Sequence, residues 1–100
     1  MTETPYQAAI CEYLQLRGIF FFRVNNVPIF ANGQYRSMGK YAMKGVSDII
    51  ALHRNVAYFI EVKGPKGKLS FDQMHFRNMV QQSGGIYIVA TEIQDLSPHF

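Results

Sequence analysis

The chain carries a single cysteine, Cys11, in 100 residues. One thiol cannot close an intrachain disulfide, so the fold rests on packing, as suits a reducing cytosol. No Cys-x-x-Cys pair is present, which excludes a thiolate zinc site. The three histidines, His53, His75 and His99, lie far apart and lack ligand spacing; they read as surface or half-buried residues. No apolar run reaches the ~18 positions of a membrane span. The opening Met1-Thr2-Glu3-Thr4-Pro5 lacks the basic stretch and the apolar run of a secretory leader. These absences set aside membrane proteins, disulfide scaffolds and zinc-thiolate modules, and leave a soluble chain expected in the cytoplasm.

What is present is apolar. Hydrophobic residues make up 48% of the chain and aromatic residues 14%, high for a small soluble monomer. One hundred residues make one domain, here residues 1–100, whose thin core is marginal when alone. Some apolar surface is therefore expected to meet a second copy, giving a homodimer. Ten Lys and Arg against seven Asp and Glu leave a net charge of +3. That balance is compatible with a polyanionic partner and does not demand one.

Along the chain, Thr4-Pro5-Tyr6-Gln7 opens a helix by a cap, a first-turn proline and a capping-box glutamine. Tyr6, Ile10, Tyr13, Leu14 and Arg17 follow at helical spacing, and Gly18 stops the helix near residue 17. Ile19 to Val24 is β-branched and aromatic and reads as a strand. Residues 25–45 break the pattern, with strand-like pieces about Asn32-Gly33 suited to a hairpin. Two strands follow, from Asp48 to Leu52 and from Val56 to Lys63. Ser70-Phe71-Asp72-Gln73 is a second capping box, and its helix ends at Ser83-Gly84-Gly85. In that helix Phe76, Met79 and Val80 form the expected buried stripe. Ile86 to Ala90 is a last strand, expected parallel to the central one, and Thr91 to Phe100 forms a short helical tail or a frayed end. The order is helix, three strands, helix, strand: an α/β fold with one small mixed sheet flanked by helices.

Charges collect at one end of the central hairpin. Asp48 opens the second strand, while Glu61 and Lys63 close the third. Alternation puts Glu61 and Lys63 on one face and turns Val62 to the other. A hairpin that reverses at Arg54-Asn55 sets Asp48 opposite Glu61, and a slip of one residue would turn it away. Two close carboxylates resist ionising together unless a cation lies between them. Magnesium suits such a pair, taking one or two carboxylates with water and phosphate oxygens. The ion polarises a phosphoryl oxygen and acidifies bound water, with Lys63 at hand to orient that water or offset charge. This is the chemistry of phosphodiester hydrolysis. Glu-x-Lys alone is a common pattern of solvated strand charges. Its weight comes from its place after a continuously apolar strand, from Asp48 one hairpin upstream, and from the basic loop Gly64-Pro65-Lys66-Gly67-Lys68.

Taken in order, Lys44-Gly45-Val46-Ser47-Asp48-Ile49-Ile50, Phe59-Ile60-Glu61-Val62-Lys63-Gly64-Pro65 and Leu69-Ser70-Phe71-Asp72-Gln73 resemble the VRR-NUC (virus-type replication-repair nuclease) family. That family belongs to the PD-(D/E)xK nuclease superfamily. The likeness extends to the opening from Glu3 to Gln7 and to the strand after Gly84-Gly85. It implies a restriction-endonuclease-like core, with Asp48 and Glu61 as metal carboxylates and the Val62 backbone carbonyl as a third ligand. It also implies Lys63 as the catalytic lysine, Gln73 as a glutamine beside the site, and Glu3 as an acid reaching the metal directly or through water. The cofactor so implied is Mg2+, with Mn2+ able to substitute. Ser47 stands where the superfamily name has proline. Gln73 is equally the third position of a capping box, a purely structural post. Glu12, two turns further along the helix, competes with Glu3.

Arg36, Lys40, Lys44, Lys66 and Lys68 flank the proposed site and suit phosphate contacts, which give affinity without reading sequence. Arg23 and Asn25, at the exit of the first strand, are placed near the same cleft. Single-domain members of the family look like phage-type Holliday junction resolvases acting as homodimers. The resemblance thus implies a magnesium-dependent endodeoxyribonuclease on branched DNA, in a bacterial or phage-infected cell. A flap or single-strand nuclease is the alternative within that class. Outside it stand a non-catalytic DNA-binding module that keeps the fold and a subunit inert without its partner protein.

Overall fold

The computed structural model describes residues 4–24, 29–31, 34–36 and 41–100, the two three-residue stretches by their backbone. Helix α1 (Pro5–Leu16) starts where the Thr4 hydroxyl accepts the Gln7 N–H at 3.1 Å, with Pro5 in the first turn. Gly18, at φ 72°, ends it in the left-handed conformation that glycine adopts at least cost. The chain then forms β1 (Phe20–Arg23), β2 (Ile29–Ala31), β3 (Gln34–Arg36), β4 (Ile49–His53) and β5 (Val56–Val62). Helix α2 (Phe71–Gln82) and strand β6 (Ile86–Ala90) follow, then a single 3-10 turn at Ile93–Asp95. Among the described residues no helix is long and apolar enough to cross a membrane.

Four strands make the main sheet in the order β1-β4-β5-β6. β1, β4 and β5 run antiparallel to their neighbours, while β5 and β6 are parallel and joined through α2. The fold is α/β, a small mixed sheet with two helices, as the sequence pattern implies. The hairpin about Asn32-Gly33 is a separate two-stranded sheet, β2 with β3, so five strands rather than three separate the helices.

One face of the sheet buries the core. Ile10 and Leu14 of α1 join a cluster with Ile49, Ala51, Tyr58, Ile60, Val62, Ile88 and Ala90. The tail completes it: Leu96 is fully buried, Phe100 nearly so, and the Arg17 guanidinium donates to the Phe100 carbonyl. The tail is therefore part of the core and not frayed. His53 and His99, 46 positions apart in a sequence where spacing argued against any meeting, both lie against the Phe100 ring, at 5.6 and 6.4 Å.

Helix α2 covers part of the opposite face through buried Phe76 and Val80. Met79, expected beside them, is instead 42% exposed. It lines an open apolar cleft of about 410 Å³ with Met43, Ala57 and Phe59.

Candidate active site

The site begins with a turn. Arg54 and Asn55 take φ values of 51° and 67°, both left-handed, as a two-residue hairpin turn requires. The turn sets the register Ile49↔Ile60 and Ile50↔Phe59, so Asp48 stands opposite Glu61. There the backbone ladder stops: Asp48 Oδ2 accepts the Val62 N–H at 2.8 Å, in the place a backbone carbonyl would take. The Asp48 carbonyl turns to the other neighbour and accepts the Val24 N–H at 2.8 Å.

Glu61 is 3% exposed, an extreme for a carboxylate. Its Oε2 accepts from Gln73 Nε2 at 3.0 Å and faces Lys63 Nζ at 3.5 Å. Its Oε1 is buried with no hydrogen-bond partner. Burial first, then the Asp48 charge, push the Glu61 carboxyl from 4.5 up to about 7, against the pull of Lys63.

That shift carries a sign. The folded chain holds the Glu61 proton more tightly than the unfolded chain does. Between pH 4.5 and about 7 the unfolded state thus binds fewer protons, and stability falls as pH rises. The loss is on the order of 3 kcal/mol. Calorimetric melting of the metal-free chain is expected to show the melting temperature falling across this window, and Glu61→Gln is expected to flatten that slope. A wild-type melting temperature that rises over the same window would contradict the assignment.

Gln73 serves two masters through one amide. Its Oε1 accepts the Ser70 N–H at 2.8 Å, and its own N–H donates to Ser70 Oγ at 3.1 Å. The amide nitrogen is left for Glu61. The capping role and the contact with the site, rivals on the sequence, coexist. Lys63 is steadied from the other side: a turn closed by Gly67 N–H to the Gly64 carbonyl folds back over its aliphatic stem. A Cβ on Gly67 would lie 3.1 Å from Lys63 Cβ, so the loop packs closely there.

The other sequence candidates divide by position. Lys44, Lys66 and Lys68 are exposed on the segments flanking Asp48 and Lys63. Val62 sends its side chain into the core and its N–H to Asp48. Arg23 pairs with Ile49, on the core-side face, and lies 3.5 Å from Gln7 Oε1. It is not brought to the face of Glu61. Glu12 is exposed and off the buried stripe of α1. Glu3, Asn25, Lys40 and the Arg36 side chain lie outside the described residues. Two residues escaped the sequence reading: Gly45, whose backbone abuts the start of α2, and Tyr87, whose hydroxyl is buried without a partner. The pairing of Tyr87 with Phe59 carries the signal for the latter, since it puts the phenol on the face of Glu61.

The donor set fits a hard divalent cation. Two carboxylates meet at a sheet end, and one buried oxygen is uncommitted. Among the described residues no group of three His, Cys, Asp or Glu converges, which a magnesium site tolerates because water and phosphate complete it. The family model of the VRR-NUC domain matches residues 1–92 of the chain. No curated protein matches the chain at a significant level.

Proposed function

The chain belongs to the VRR-NUC domain family, whose members are nuclease-type DNA-processing domains, and we propose that it is a magnesium-dependent endonuclease resolving four-way DNA junctions as a homodimer. The observation that carries this reading is the buried Glu61 carboxylate set opposite the half-buried Asp48, with Glu61 Oε1 uncommitted.

In this reading Asp48, Glu61 and the Val62 carbonyl hold Mg2+, or Mn2+ in its place, with Glu3 as an outer acid. Such an ion supplies Lewis acidity to the scissile phosphate and lowers the pKa of attacking water. The chain supplies the rest. Lys63, beside Glu61 Oε2, offsets negative charge that gathers on the phosphate in the transition state. Gln73 engages Oε2 and so leaves Oε1 for the ion. Lys44, Lys66 and Lys68 hold the flanking phosphates, together with Arg36, Lys40 and Asn25 from the preceding segment.

The homodimer is supported by an apolar strip. Phe20, Phe22 and Leu52 are 63%, 47% and 50% exposed, and register places all three on the face of Asp48 and Glu61. A second copy would cover such a strip, and a two-fold pair of sites suits symmetric incision of a junction.

The test is a comparison of synthetic four-way junctions, flaps and linear duplex under Mg2+ or Mn2+. Junctions are expected to be cut at least about 10-fold faster than duplex, a difference of about 1.4 kcal/mol in barrier. Equal rates on all three substrates would remove the junction claim and leave the nuclease. A preference for flaps would favour the alternative cleavage mode.

A further inference from the structure

Among the described residues, two buried side-chain polar atoms have no hydrogen-bond partner: Glu61 Oε1 and the Tyr87 hydroxyl. Orphaned buried groups are rare, because each is costly unless something satisfies it. These two are neighbours. Tyr87 pairs with Phe59 and Glu61 with Val89 across the parallel β5 and β6, so both side chains rise from one face, two residues apart along the strands. Strand geometry separates their Cα atoms by about 8 Å, a gap that a phenol and a carboxylate reach across. Burial first, then the charges of Glu61 and Asp48, hold the proton on the phenol, against the pull of Arg77. The hydroxyl is a donor without an acceptor, and Glu61 Oε1 is an acceptor without a donor.

The ring is fixed. Phe76 meets Phe59 edge-on at 5.6 Å and Tyr87 at 6.2 Å. Aromatic contacts of this kind hold a ring plane and so aim the hydroxyl at its far end.

We propose that Tyr87 is a positioning residue for Glu61, its O–H hydrogen-bonded through one bridging water to Glu61 Oε1. One lone pair of that oxygen takes the water and the other is left for the cation. Gln73 holds Oε2 from α2, and Tyr87 steadies Oε1 from β6, so the carboxylate is clamped from two elements. The role rests on the metal reading above, since it acts only through Glu61. Partners of metal ligands at this remove are typically worth about 10–100-fold in affinity or activity.

The experiment compares the full-length wild type, Tyr87→Phe and Glu61→Gln by calorimetric titration with Mn2+, by thermal unfolding, and by kcat and KM on DNA. Phenylalanine keeps the packing with Phe76, so the variant is expected to fold with a melting temperature within a few degrees of wild type. Its Mn2+ affinity is expected to fall about 10-fold or more, with kcat reduced and KM for DNA unchanged. Glu61→Gln is expected to lose Mn2+ binding. A wild type that binds Mn2+ alongside a Tyr87→Phe chain that binds it equally well overturns the role of Tyr87 alone. A wild type that takes up no Mn2+ overturns the metal reading and this role with it.

Discussion

Glu61→Gln is expected to melt at a higher temperature than wild type at pH 8 without metal, and to cut DNA at least about 1000-fold more slowly with it. The two effects share a cause. Glu61 is ionised at pH 8 although it is 3% exposed and faces Asp48. Its charge is tolerated and not welcomed, because desolvation and like-charge repulsion outweigh the help of Lys63. Glutamine has the same shape. It can keep its carbonyl on the Gln73 amide and turn its N–H2 to Asp48, so the Gln73 contact survives, the Lys63 ion pair goes, and the repulsion goes with it. The expected gain is on the order of 2–3 kcal/mol, the part of stability that the shifted carboxyl withholds at high pH. On the proposed metal reading activity moves the other way, since the ion would lose an anionic ligand. Transition-state stabilisation by a catalytic ion is worth several kcal/mol, and each 1.36 kcal/mol is tenfold in rate. Melting curves and single-turnover cleavage measure both arms. Full activity in the variant would remove Glu61 from the chemistry; lower stability would show that Lys63 already pairs its charge fully.

Gly45→Ala is the second change with a large expected effect. Gly45 has φ 76°, and a Cβ there would fall 2.4 Å from the Asp72 carbonyl carbon and 2.7 Å from the Gln73 nitrogen. These are backbone atoms of the first turn of α2, which no side-chain rotation moves aside. Left-handed strain of about 1–2 kcal/mol adds to overpacking of about 1–3 kcal/mol, so a loss of about 3–4 kcal/mol is expected. That is a large share of the ~5–15 kcal/mol typical of a small domain. The damage also reaches the chemistry, because the displaced turn carries Gln73 away from Glu61. Gly18→Ala and Gly84→Ala are the controls: both positions have positive φ, but open space surrounds the added carbon. They are expected to lose only the strain, about 1–2 kcal/mol, and to keep full kcat. Urea unfolding with parallel kinetics separates the three. Equal losses at positions 45 and 18 would mean that the start of α2 yields freely.

Much of the frame was legible in the chain because local rules and the global fold agree. The caps at Thr4 and Ser70, the stop at Gly18 and the turn at Arg54-Asn55 are short-range chemistry, and each stands where its residues put it. Apolar alternation then left one register that buries Ile49 and Ile60 together, which brings Asp48 opposite Glu61. What escaped depends on three-dimensional neighbours. Nothing local says that the Asp48 side chain, and not a backbone carbonyl, accepts the Val62 N–H. Ile86-Tyr87-Ile88-Val89-Ala90 reads as uniformly apolar, and only the pairing of β5 with β6 singles out the phenol. Met79 fits a helical stripe but lies on the rim of an open cleft, where it stays 42% exposed. The tail reads as a short helical or frayed end, yet Leu96 and Phe100 are buried in the cluster that α1 shares with the sheet.

The double use of the Gln73 side chain has a consequence for how the enzyme loses activity. Its carbonyl is spent on the peptide nitrogen of Ser70 and its amine on Glu61, so the group cannot turn over without breaking both bonds. The opening coil of the second helix and the Glu61 carboxylate are latched together. When that coil unwinds, the carboxylate loses its brace in the same step, so on the proposed reading cleavage is expected to fall in parallel with the unwinding.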